Sequence, residues 1–286
     1  MALKPTPRAV LAATLLLLFA TAPTGAQQNG PESPQDLVRA AVANTLKDGD
    51  RSTPYIYRLR REKPGASSEV RDIVVTRDGL VARLVALNDQ PLTGQQRARD
   101  DARISRLLSD SREQAKRRRQ QEEERVRVRR MLSALPDAFL YERDGQEQGP
   151  SGTLIRLKFR PNPEFDPPTR ETVVYKGMQG TMLIDEDERR IARLDAALVE
   201  DVNLGWGLLA HLDRGGRFTV EQKRLPSGQW EITAMTLDFT GRAFLFKSLK
   251  IQSRQAITDF RPAPADLTLT EGVALLRKQD GVVSGK

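Results

Sequence analysis

The 286-residue sequence has no cysteine and a single histidine, His211. With no thiol there is no disulfide, thiol nucleophile, cysteine zinc site or lipid-bearing cysteine. Stability must come from an ordinary apolar core. A hydroxyl nucleophile assisted by imidazole would have to use His211. No Gly-x-Ser-x-Gly elbow accompanies it, and its neighbours Leu209, Ala210 and Leu212 read as packing residues. The acidic run Asp185-Glu186-Asp187-Glu188 lacks the glycine and distal Glu of a calcium loop, and reads as a hairpin turn. Neither a metal nor a cofactor is expected, and no catalytic group is assigned.

The sequence also lacks an apolar run long enough to span a bilayer. The longest, Ala9 to Ala20, covers about twelve residues, against roughly 20 for a spanning helix. Lys4 and Arg8 precede it, and Thr21-Ala22-Pro23-Thr24-Gly25-Ala26 follows with a helix breaker and small residues. This is the three-part pattern of a cleavable signal peptide over residues 1–26, with cleavage after Ala26 or, failing that, Ala22. Residues 27–286 are then expected to form a single soluble, untethered domain in the periplasm.

Charge is concentrated in one place. The chain carries 46 Lys/Arg and 38 Asp/Glu, for a net charge of +8. The segment between Gly94 and Ser133 holds 13 Lys/Arg against 7 Asp/Glu. With Lys4 and Arg8 removed, that segment accounts for the whole surplus. The high isoelectric point belongs to one stretch, not to a uniformly basic surface.

Ser33-Pro34-Gln35-Asp36 is a helix start, and Gln35 to Leu46 places Leu37, Val38, Ala41, Val42 and Leu46 on one face. Tyr55 to Arg61, Glu69 to Arg77 and Leu80 to Leu87 predict an antiparallel three-strand meander. Gly94 to Leu135 predicts a long helix or a helix pair, apolar near both ends and solvated between, with Glu123 and Arg127 spaced i,i+4. Strands are expected at Phe139 to Arg143 and Thr153 to Phe159, then a proline-rich loop and a short helix at Thr169 to Lys176. Further strands are expected at 180–185, 190–202, 216–224, 229–239, 243–250 and 251–260, with Thr240-Gly241 as a turn. Glu271 to Lys278 predicts a closing helix. The class is α+β: an open antiparallel β half-barrel with helices across it and a long charged helical insertion at about 94–135.

Two stretches stand out as candidate sites. Asn203-Leu204-Gly205-Trp206-Gly207-Leu208-Leu209 sets a tryptophan between glycines and leucines. Leu204, Trp206, Leu208 and Leu209 either line the mouth of an apolar cavity or fold into the core. Lys116, Arg117, Arg118 and Arg119 form a basic run. Export argues against nucleic acid, leaving an anionic membrane surface, an acidic envelope protein, or a solvated helix face balanced by Glu122, Glu123 and Glu124.

From Phe159 onward, the series Phe159-Arg160-Pro161-Asn162-Pro163, Pro167-Pro168-Thr169-Arg170-Glu171, Gly177 to Asp185, Gly205-Trp206-Gly207 and Gly241 to Lys247 resembles a family of uncharacterised exported bacterial proteins. The Gly180-Thr181 to Ile184-Asp185 strand, the Arg190 to Leu194 strand and the Gly228-Gln229-Trp230 turn also resemble the outer-membrane lipoprotein carrier and sorting (LolA-like) superfamily. That resemblance implies a half-barrel whose concave face holds lipid or lipoprotein acyl chains, and it includes relatives that sense envelope stress. It transfers no catalytic residue. It implies a non-enzymatic binding protein for an apolar ligand or, alternatively, a sensor or scaffold that engages a protein through the charged helix.

Overall fold

The first helix begins where its caps stand: Asp36 donates its backbone N–H to the Ser33 hydroxyl at 3.1 Å, with Pro34 at the first helical position. The computed structural model of the chain describes residues 32–49, 54–204, 210–243 and 247–283. The signal segment 1–26 and the candidates Trp206, Leu208 and Leu209 lie outside the described residues. Helix α1 (Pro34–Gly49) buries the expected face, with Leu37, Val38 and Ala41 fully enclosed. Each such Leu or Val contributes about 1.5–3 kcal/mol of burial.

The meander forms as read: β1 (Tyr55–Glu62), β2 (Glu69–Thr76) and β3 (Gly79–Leu87) pair antiparallel, with β4 (Gln90–Pro91) a two-residue addition to β3. The charged stretch is a helix pair, α2 (Gly94–Ser109) and α3 (Ser111–Ala138). Asp110 divides them. Its backbone N–H closes α2 on the Arg106 carbonyl, while its carboxylate accepts the N–H groups of Arg112 and Glu113 that open α3. Gln114 Nε2 donates to the carbonyls of Leu107 and Leu108, which tightens the corner. Helix α3 runs past the expected end, through Pro136, to Ala138.

The second half is strand-rich: β5 (Phe139–Gly149), β6 (Gly152–Pro161), a 3-10 turn at Glu171–Gly177, β7 (Met178–Asp185), β8 (Arg190–Leu198), β9 (Val202–Leu204), β10 (Ala210–Leu212), β11 (Arg217–Arg224), β12 (Trp230–Ala243) and β13 (Lys247–Pro262). Helix α4 (Leu269–Val283) closes the chain; Thr268 and Glu271 cap it reciprocally. One open sheet results, in the order β4-β3-β2-β1-β13-β12-β11-β8-β7-β6-β5, with β10 attached to β12 and β9 to β10. All pairings are antiparallel, and the half-barrel class stands.

Three expectations are corrected. Residues 190–202 are not one strand: β8 stops at Leu198 and β9 restarts at Val202. Ala243 ends β12, and the described parts 247–250 and 251–260 of two expected strands are one 16-residue strand, β13. Thr240-Gly241 is not a turn but lies within β12. Gly241 is needed there for close approach, because a Cβ would sit 1.9 Å from the His211 carbonyl of β10.

Residues opposed across antiparallel strands share a face. The face that carries the main core in β6–β8 continues from Phe218 to Leu237 and Ser253, and from Gln255 to Arg61 and Leu59. This inner face receives α1 and the last turns of α3. Ile56, Val74 and Val81 point to the opposite face, where a second core forms with Ile104 of α2 and Val273 and Leu276 of α4.

The exposed edge of β3 is held by helix side chains. Leu84 donates its N–H to Asp100 Oδ2 at 3.0 Å, Arg103 donates to the Ala82 carbonyl at 2.5 Å, and Leu80 donates its N–H to Gln121 Oε1 at 3.3 Å. Asp100 also accepts from Arg103 Nε at 2.8 Å. Replacing Asp100 with Ala strands both an edge N–H and a guanidinium. The expected loss is about 3 kcal/mol in urea unfolding, with Asp100→Asn less damaging because the amide oxygen still accepts. Equal losses would show that the charge, not the edge contact, matters.

Candidate functional site

Helix α1 packs on β8 and β5, and α2 and α4 pack on β2 and β3 of the other face. No helix makes an extensive contact with β1 or β11–β13 among the described residues. The inner face there is a strip of half-buried apolar residues: Val220 from β11, Ile232, Met235 and Leu237 from β12, and Ile257 from β13. Buried Leu59 and Ile73 continue it onto β1 and β2, while Ile251 is 41 % exposed. One end is aromatic. The Tyr57 and Phe260 rings lie 5.9 Å apart, and Tyr55 donates its hydroxyl to Gln229 at 2.5 Å.

Helix α3 reaches from the β3 edge to the β5 edge of the same sheet. Its length is about 42 Å at 1.5 Å per residue. It is held at Gln121 by the Leu80 N–H, and at Met131, whose carbonyl accepts from the Tyr175 hydroxyl at 3.1 Å. Between these footholds most side chains are exposed, Val128 by 47 %.

The inner strip also contains polar atoms. Arg61 and Gln255 face each other across β1 and β13, and Ser253 lies two residues along. Arg61 Nε and Ser253 Oγ are buried and have no hydrogen-bond partner. Sequence reasoning did not single out these residues. The strand alternation carried their direction, but only the register reveals that β13 and β1 bring them together.

Of the residues singled out from sequence, Leu204 ends β9 half-buried against the main core. Lys116, Arg117, Arg118 and Arg119 occupy the first third of α3. Arg117 is paired with Glu113 at 3.2 Å and Arg119 with Glu123 at 2.9 Å, whereas Lys116 and Arg118 are exposed. Glu122 pairs with Arg125 and Glu124 with Arg127, each at i,i+3. The carboxylates expected to balance the basic run therefore serve mainly the later arginines.

His211 joins Asn203 Oδ1 at 2.8 Å and lies 3.6 Å from Asp201 and 3.4 Å from Asp213. Its hydrogen-bonded neighbours are acceptors, not a nucleophile. Asp185 is buried and accepts the N–H groups of Asp187 and Glu188, so the acidic run is a turn capped by its first carboxylate. Two open clefts among the described residues lie off the strip. One, of about 830 Å³, separates Arg129, Arg130 and Ser133 of α3 from Asn162, Glu164 and Asp166. The other, of about 190 Å³, runs along Lys176, Glu200 and Asn203.

No family model matches the chain, and no curated protein matches it. Among solved structures it is similar to a DUF1329 family protein from Desulfovibrio piger, at 11 % identity and TM-score 0.28 over 80 % of this chain and 92 % of that one. It is also similar to a LolA superfamily protein from Nitrosomonas europaea, at 9 % identity and TM-score 0.29 over 82 % and 94 %. A structure of the Pseudomonas aeruginosa MucA/MucB complex aligns at 9 % identity and TM-score 0.21 over 81 % and 99 %. The superpositions are loose and fix neither a ligand nor a site.

Burial pushes the Tyr57 hydroxyl up to about 12, with the Glu231 carboxylate adding to the shift, and it pushes Tyr141 and Tyr175 up further. Unfolded tyrosine ionises near 10. Above that pH the unfolded chain has released protons that the folded chain retains, so stability falls as pH rises from about 10. Near-ultraviolet titration should show these phenols ionising together with alkaline unfolding. Early, independent ionisation of all tyrosines would contradict their burial.

Proposed function

We propose that the chain is a non-enzymatic exported protein, processed to a single domain of residues 27–286, that binds a lipid, lipoprotein or other apolar ligand on the inner face of its half-barrel. The strip of half-buried Val220, Ile232, Met235 and Ile257, over which no helix makes an extensive contact among the described residues, carries this reading, since each methylene laid on such a surface gains about 0.8 kcal/mol. The sequence of Leu204, Trp206, Leu208 and Leu209, apolar residues set among glycines, is of the kind suited to the mouth of such a site. The pattern of residues 1–26 supports a periplasmic location. No cofactor or metal takes part.

The neutral probe N-phenyl-1-naphthylamine should bind and gain fluorescence, and Met235→Asp with Ile257→Asp should weaken that binding more than tenfold. Melting temperature checks that the double variant folds. No fluorescence gain with the unmodified protein would overturn the proposal.

A second reading concerns the α2–α3 corner. Lys116 and Arg118 stand exposed without an ion pair among the described residues, a pattern suited to an acidic envelope partner. Exchanging both for Glu should abolish crosslinking to such a partner in intact envelopes. Unchanged crosslinking would contradict this reading.

A further inference from the structure

We infer that the inner strip takes an acyl chain ending in a carboxylate, with Arg61 as the group that holds the head; this rests on the proposed binding of an apolar ligand there. Arg61 lies on the inner face of β1, opposite Gln255 of β13 and beside Leu59 and Ile257. Its Nε is buried, and Arg61 forms neither an ion pair nor a side-chain hydrogen bond among the described residues. A guanidinium on an apolar face is costly unless an anion meets it, because desolvation removes water without replacing its hydrogen bonds.

The obvious internal partner is already engaged. Glu69 lies opposite Arg61 across β1 and β2, but its carboxylate accepts from Arg71 Nε at 3.0 Å. Glu62 is turned to the other face, where it accepts from Arg60 Nε at 2.9 Å. Arg61 therefore keeps its positive charge on the strip, and a single carboxylate is its complement. Arg61 is half-buried although its Nε is sealed, so the guanidinium stays partly accessible, and a guanidinium forms a planar two-point contact with a carboxylate. The apolar residues running from Leu59 and Ile257 toward Met235 and Val220 give the chain its path.

The test is competition against N-phenyl-1-naphthylamine by two ligands that differ only in the head, laurate and 1-dodecanol. The unmodified protein should prefer laurate by roughly 10–100-fold, the size of a charge-assisted hydrogen bond. Arg61→Met should bring that ratio close to one, and Arg61→Lys should keep part of it. Arg254→Met on the opposite face should leave the ratio at its original value. Thermal melting confirms that each variant folds. Equal binding of both ligands, with a ratio unmoved by Arg61→Met, would overturn the role of Arg61 and leave the strip as an apolar site. Displacement of the probe by neither ligand would overturn the carboxylate and the acyl chain together.

Discussion

Asp100 and Arg103 supply, from a helix, what a neighbouring strand would give the edge of β3: an acceptor for the Leu84 N–H and a donor for the Ala82 carbonyl. An open sheet carries unpaired backbone groups along both edges, and each edge invites pairing with another chain. Here one edge is bound by α2 and α3, with β4 covering only Ala86 and Leu87. The other edge, β5, is rich in charge, and its Asp144 and Glu147 are paired to Lys158 and Arg156 of β6. The charged insertion is therefore part of the architecture. It runs from the bound β3 edge to the β5 edge, and Asp110 caps both helices at the corner.

This arrangement explains how the two cores divide. Helix α1 and the end of α3 fill the inner face over β5–β8, whereas α2 and α4 fill the outer face over β1–β3. Covering opposite faces at opposite ends leaves the inner face of the middle strands without a helix. That strip is a consequence of topology, and the sequence places both apolar side chains and the unpaired Arg61 on it.

The elements were legible where period and caps agree. The apolar stripe of α1, the three N-terminal strands and the helical composition from Gly94 all reflect local chemistry, and they formed close to the expected places. The failures share a cause. Thr240-Gly241 has turn chemistry, but that glycine serves the close pairing of β10 beside β12, a contact between segments distant in sequence. The site was less legible still. The basic run was visible, yet which cations are neutralised depended on helix spacing: Arg117 and Arg119 found carboxylates one turn away. Arg61 looked like one of several strand arginines, because its isolation depends on Glu69 choosing Arg71.

An inner strip that binds acyl chains should carry one when the protein is taken from its own compartment. Mass spectrometry of organic extracts, made from protein purified out of its native envelope without added detergent, measures this directly. The account predicts recovery of an acyl species in near-equimolar amount, depleted in the Met235→Asp, Ile257→Asp double variant. Extracts empty of any acyl species, from protein that melts cooperatively, would contradict it.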